Sequence, residues 1–177
     1  MIRHNYRGIS IKKLMADFNT TQLTAIGERL QQTEATIAVA ESVTSGLMQY
    51  AFSNIPKALN FYHGGITAYN LAQKFKHTDV EPVHASAVDC VSAKVAAQMA
   101  LNVCKHFSSH WGIGITGYST PTPASGGRIF AYYAIAYEGA IRAESLIEPT
   151  LTEATEVQQE YVNTVVDKLY QLLHPHA

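Results

Sequence analysis

The sequence predicts an α/β fold, a mixed sheet with helices on both faces. Three observations point to it. Short β-rich apolar runs alternate with stretches of helical periodicity. Two further β-rich runs abut across a two-residue turn. The chain then closes on a long amphipathic segment.

The elements follow in order. Ser10-Ile-Lys-Lys-Leu-Met-Ala-Asp-Phe18 has the pattern of a short amphipathic helix, and Thr20-Thr21 precedes Leu23, Ile26 and Leu30 at helical spacing. Thr36-Ile-Ala-Val-Ala40 is an apolar run of the kind buried on both faces of a sheet. Glu41 to Gly46 interrupts it, and Leu47 to Phe52 returns to helical spacing until Asn54-Ile55-Pro56. Gly64 to Tyr69 reads as a second strand and Ala72 to Lys76 as a short helix. Val91, Val95, Met99, Val103 and Phe107 recur four apart and predict a helix over 91–107. Cys90 and Cys104, the only cysteines, are expected together on that helix as small core residues rather than in a disulfide. Trp111 to Thr116 is a third strand, and Gly117 to Gly127 is a loop rich in Ser, Thr, Pro and Gly. Arg128 to Tyr137 and Ala140 to Ile147 form a hairpin around Glu138-Gly139, with Tyr132, Tyr133 and Tyr137 packing on the sheet. Thr152 to Leu173 is the closing helix, and His174 and His176 are its frayed tail.

A chain of 177 residues is expected to form one domain over 1–177, an N-terminal helical segment (1–34) followed by an α/β core (36–173). A domain of this size buries roughly 70% of its extended-chain surface and needs no disulfide or metal staple. Hydrophobic residues at 47% and charged residues at 15% exclude a disordered chain. A net charge of -1 argues against coating nucleic acid or an anionic membrane. No apolar run is long enough to span a bilayer, and the N-terminus does not read as a signal peptide. A cytoplasmic location is expected.

Ligands of such sheets gather at the carboxyl ends of strands. Three segments qualify. Glu41-Ser-Val-Thr-Ser-Gly46 offers hydroxyls and a glycine, or alternatively plain helix capping. Tyr69-Asn-Leu-Ala-Gln-Lys74 places a phenol and an ammonium five residues apart after a strand, or alternatively an exposed surface lysine. A serine hydroxyl is a weak nucleophile until a neighbour takes its proton, and a lysine of lowered pKa can do so. Thr116 to Gly127 is crowded with donors that could wrap a polar ligand, or is equally a loose surface loop. Gly112, Gly114 and Gly117 match G-x-G-x-x-G, but a Pro-containing loop follows where a dinucleotide fingerprint needs a helix. His106 and His110 have no acidic residue close by in the sequence and read as a structural or solvated helix end rather than a metal site.

With these segments in view, the chain resembles the C-terminal domain family of the competence/damage-inducible protein CinA, which includes stand-alone PncC-type nicotinamide-nucleotide amidohydrolases. The family pattern A-E-S-C-T-G-G, then G-G-x-x-x-Y-S-N-x-x-K, then I-T-G-I-A-G-P is similar to Ala40-Glu-Ser-Val-Thr-Ser-Gly46, Gly64-Gly-Ile-Thr-Ala-Tyr-Asn-Leu-Ala-Gln-Lys74 and Ile115-Thr-Gly-Tyr-Ser-Thr-Pro121. The resemblance implies a three-layer α/β/α sandwich, with a mixed, mostly parallel sheet and one C-terminal hairpin. It implies hydrolysis of nicotinamide mononucleotide to nicotinic acid mononucleotide and ammonia, without metal or cofactor. By the same resemblance Ser42 is the nucleophile and Tyr69 and Lys74 handle its proton. Thr44, Ser45, Gly46, Gly65, Asn70, Thr116 and Gly117 are the expected substrate-binding positions. Val43, Ser45, Asn70, Leu71 and Tyr118-Ser119-Thr120 depart from the pattern, so the substrate-shaping surroundings differ from those of the family.

The expected partner is one small phosphate-bearing nucleotide, not nucleic acid or a membrane. Between Thr36 and Thr78 the only acid is Glu41, against Lys57, Lys74 and Lys76, and Cys90 to Tyr137 holds no acid at all. An alternative reading is a member that binds a nucleotide as a sensor or interaction module without turnover. A third is a scaffold that acts through its N-terminal helices, whose apolar faces leave a homodimer open.

Overall fold

The computed structural model describes residues 18–175. The expected helix at Ser10 to Phe18 falls outside them except for Phe18, and His176 lies outside as well. Among the described residues six α-helices surround five strands: α1 (Thr20–Gln32), β1 (Ile37–Glu41), α2 (Leu47–Ser53), β2 (Tyr62–Thr67), α3 (Leu71–Thr78), α4 (Pro82–Ala87), α5 (Ala93–Phe107), β3 (Trp111–Tyr118), β4 (Phe130–Tyr137), β5 (Ala140–Ile147) and α6 (Ala154–Leu173), with a 3-10 turn at Ala58–Asn60. The strand order is β2-β1-β3-β4-β5. β1 pairs parallel with β2 and β3, and β4 pairs antiparallel with β3 and β5, so every strand except β4 runs the same way.

The two faces of the sheet are covered by different chemistry. Ile37 and Val39 of β1, and Trp111, Ile113 and Ile115 of β3, pack against apolar residues of α1, α2 and α6. The alternate residues, Ala38 and Ala40 of β1 and Ala134 and Ala136 of β4, face α5. Gly112 and Gly114 complete that face. A Cβ on Gly114 would lie 2.2 Å from the Ala96 carbonyl oxygen, and one on Gly112 would lie 2.3 Å from that of Ala100. These glycines let α5 press against the strand backbone. That accounts for the G-x-G without any phosphate. β1 sits between two parallel partners and is buried along its whole length, as its unbroken apolar run predicts.

Local signals fix the ends. Asn19, Asn70 and Ser92 cap α1, α3 and α5 by accepting backbone N–H groups three residues on. Glu138 and Gly139 both have positive φ, the conformation that a two-residue hairpin turn requires.

Four expectations need correction. The second strand ends at Thr67, not Tyr69, because Asn70 is already the cap of α3. β3 runs on to Tyr118 because β4 pairs with it that far. α4 was not foreseen. Its six residues are too few to show a period, and Pro82 reads as a breaker although it occupies the first turn behind the Glu81 cap. Cys90 is not on α5. It precedes the Ser92 cap with φ 62, while Cys104 is on the helix, and both thiols are free. No helix among the described residues is long and apolar enough to cross a membrane.

Candidate active site

The parallel strands β2, β1 and β3 deliver their carboxyl ends to one rim of the sheet, and a cavity of about 310 Å³ opens there. Ser42 follows β1 directly. Its backbone N–H donates to the Ile115 carbonyl at 3.1 Å, so the parallel pairing with β3 continues one residue past the strand and fixes the serine. The turn that follows is tied down from beneath. Glu41 is fully buried, and its carboxylate accepts from four donors: the Thr44 hydroxyl, the Met48 and Gln49 N–H groups, and the Gln49 amide. A buried carboxylate is tolerated only when paired in this way.

Lys74 comes from the first turns of α3, and its side chain is only 2% exposed. Nζ lies 2.8 Å from Ser42 Oγ and 2.9 Å from the Ala68 carbonyl oxygen. Burial pulls the lysine below its ordinary pKa, against the opposing influence of Cys90 and Asp89. Nζ donates to both oxygens, and the lowered pKa brings the lysine closer to the neutral amine, the form that can take a hydroxyl proton. The structure therefore brings Ser42 and Lys74 together as a buried pair.

Tyr69 also lines the cavity but is 74% exposed, and no hydrogen bond joins its hydroxyl to Ser42 or Lys74. Asn70, Thr116 and Gly117 line the cavity as well. Two of them are already committed: Asn70 Oδ1 accepts the Gln73 N–H at 3.0 Å, and the Thr116 hydroxyl donates to the Cys90 carbonyl at 2.9 Å. Four expected binding residues stand elsewhere. Thr44 is buried against Glu41, Ser45 is exposed with φ 52, and Gly46 is the cap of α2. Gly65 is packed where a Cβ would lie 2.6 Å from Val39 Cγ2, as a small partner for β1 and α2.

Asp89 and Cys90 belong to the cavity as well, although no local motif marks them. Both line the cavity from the loop ahead of α5, and both have positive φ, 48 and 62. Two residues at the end of β3 hold that loop. Thr116 bonds the Cys90 carbonyl, and the Tyr118 hydroxyl donates to Asp89 Oδ2 at 2.8 Å. Burial and the Asp89 carboxylate push the Tyr118 phenol up to about 12, so it stays a donor. Behind it the Tyr161 hydroxyl donates to the Tyr118 carbonyl at 2.9 Å. Burial likewise raises the Cys90 thiol.

Fold and site together define a three-layer α/β protein with a buried Ser–Lys pair in a cavity at the carboxyl ends of its parallel strands. A sequence model of the CinA C-terminal domain matches residues 19–173. The chain belongs to the CinA C-terminal domain family. It is 30% identical over 155 residues to a CinA-like protein of Trichodesmium erythraeum, covering 84% of this chain and 36% of that one. It is 37% identical over 100 residues to a CinA-like protein of Thermosynechococcus vestitus, covering 56% of this chain and 24% of that one. The chain thus spans about a quarter to a third of the length of these curated relatives. Among solved structures, a CinA superfamily protein from Klebsiella pneumoniae 700603 superposes with a TM-score of 0.84 at 19% identity, over 90% of this chain and 99% of that one. One from Escherichia coli superposes with a TM-score of 0.81 at 22% identity, over 93% of this chain and 99% of that one. These likenesses show the fold.

Proposed function

We propose that the chain is an amidohydrolase acting on a carboxamide carried by a pyridine ring. Nicotinamide mononucleotide is the member of that class named by the family resemblance, and its products would be nicotinic acid mononucleotide and ammonia. The observation that carries the reading is the 2.8 Å contact between Ser42 Oγ and the buried Lys74 Nζ inside a ligand-sized cavity.

In this reading the neutral Lys74 amine takes the Ser42 proton as Oγ attacks the carboxamide carbon. The Ser42 N–H is spent on Ile115. The Val43 N–H is at the next position on the cavity wall, has no acceptor among the described residues, and is the candidate oxyanion donor. Lys74 returns its proton to the amide nitrogen, the C–N bond breaks and ammonia leaves. Water, deprotonated by Lys74, then cleaves the acyl–serine ester, releases the carboxylic acid and restores the hydroxyl. Tyr69 closes over the substrate from the mouth rather than sharing the buried proton. A pyridine nucleotide enzyme of this kind would work in the cytoplasm.

Ammonia release from nicotinamide mononucleotide and from nicotinamide riboside by the purified chain tests the proposal. Turnover abolished by Ser42→Ala is expected, and no release from either compound contradicts it. The exposed and unbonded Tyr69 favours a second reading, a nucleotide-binding module without turnover. Thermal shifts with either compound in the absence of ammonia would support that one.

A further inference from the structure

The mouth of the cavity carries a charge that the sequence hid. The stretch whose only acid is Glu41 ends at Thr78, the acid-free stretch begins at Cys90, and Asp89 lies one residue ahead of the latter. Its exposed carboxylate lines the cavity. It is held there by the Tyr118 hydroxyl, at a position where this chain departs from the family pattern. The backbone carbonyl of Tyr118 is anchored in turn by Tyr161. The loop bearing Asp89 is clamped a second time through Thr116. Placing Asp89 takes a left-handed backbone at two consecutive non-glycine residues, so the position is specified by the surrounding bonds rather than by local preference. On the other side of the balance, Lys74 is the one Lys or Arg among the described residues that line the cavity. It is buried beside Ser42.

A site with a fixed carboxylate at its mouth attracts a cation and repels a dianion. We propose that this cavity selects amides carried on a cationic ring without a phosphate, a pyridinium nucleoside rather than its nucleotide, and that Asp89 held by Tyr118 is the residue that makes the choice. The inference rests on the amidohydrolase reading for its chemistry, and it narrows the substrate class. Ser119 and Thr120 also line the cavity, and their hydroxyls would suit the ribose of such a ligand.

The test compares nicotinamide riboside with nicotinamide mononucleotide on the full chain, by ammonia release and by calorimetric binding. Wild type is expected to favour the riboside by at least tenfold in kcat/KM and in affinity. Asp89→Asn keeps the size and the left-handed backbone, so it should fold, and it should bring the ratio close to one. Tyr118→Phe should reduce the ratio by a smaller factor. Added salt should shrink the preference of wild type but not that of Asp89→Asn, a signature that a merely structural role would lack. If wild type turns over the mononucleotide as well as or better than the riboside, the inference is overturned while the amidohydrolase reading stands. If neither compound releases ammonia, that reading fails and binding decides the selectivity. A riboside preference lost in Asp89→Asn supports it, and equal binding or none overturns it.

Discussion

The floor and the mouth of the cavity hold their polar groups in different ways. On the floor, Ser42 and Lys74 are buried, bonded to each other, and braced by the backbone at Ile115 and Ala68. At the mouth, Tyr69 is exposed and unbonded to the floor, and Asp89 is exposed and positioned by one phenol. Desolvation acts on the floor, where it alters what a group can do as a base. Charge and shape act at the mouth, where water remains and a substitution changes which ligand enters. The floor residues coincide with the family pattern, and Tyr118 at the mouth departs from it.

Substitutions should separate the two regions, beginning with the largest effect. Ser42→Ala removes the proposed nucleophile and is expected to lower kcat by at least about 10³-fold, with an unchanged circular dichroism spectrum. Lys74→Met should have an effect of similar size on kcat. Its effect on stability depends on pH in a defined direction. Between the lowered folded pKa of Lys74 and the ordinary lysine value of about 10.4, the unfolded chain binds more protons than the folded one. The stability of wild type relative to Lys74→Met should therefore rise with pH through that window, and be lowest below it, in urea unfolding measured at several pH values.

Beneath the floor, Glu41→Gln puts an amide NH₂ among donors and is expected to cost about 2–4 kcal/mol in the same urea experiment. At the mouth, Tyr69→Phe should change kcat by less than about tenfold, since the hydroxyl makes no bond to the buried pair. A loss on the scale of Ser42→Ala would move Tyr69 from the mouth to the floor.

The same division explains what could be read from the sequence. Ser42 and Lys74 lie just after a strand and in the helix after the next one, where short-range spacing and the family pattern both apply. The unbroken apolar run of β1, the helical period of α5 and the Glu138-Gly139 turn were legible for the same reason. Asp89 and Cys90 reach the cavity from a loop, held by residues more than twenty positions away, and no local pattern encodes that. The apolar spacing of α5 extends back to Val91, which placed Cys90 on a helix that Ser92 in fact caps. Thr44 carries the hydroxyl expected of a binding residue, but the nearby buried Glu41 claims it. A polar side chain in a strand-to-helix turn can serve a ligand or the turn itself, and only the burial of its neighbour decides which.

The most direct measurement of the central claim, that Lys74 is the neutral base on the floor, is an NMR titration of the lysine side chains in the full chain. Lys74→Arg supplies the assignment. One lysine, absent from the Lys74→Arg spectrum, should lose its proton well below the others and be neutral while they are still charged. If every lysine titrates together in the ordinary range near 10.4, Lys74 is a fixed charge and the proposed proton transfer from Ser42 is wrong.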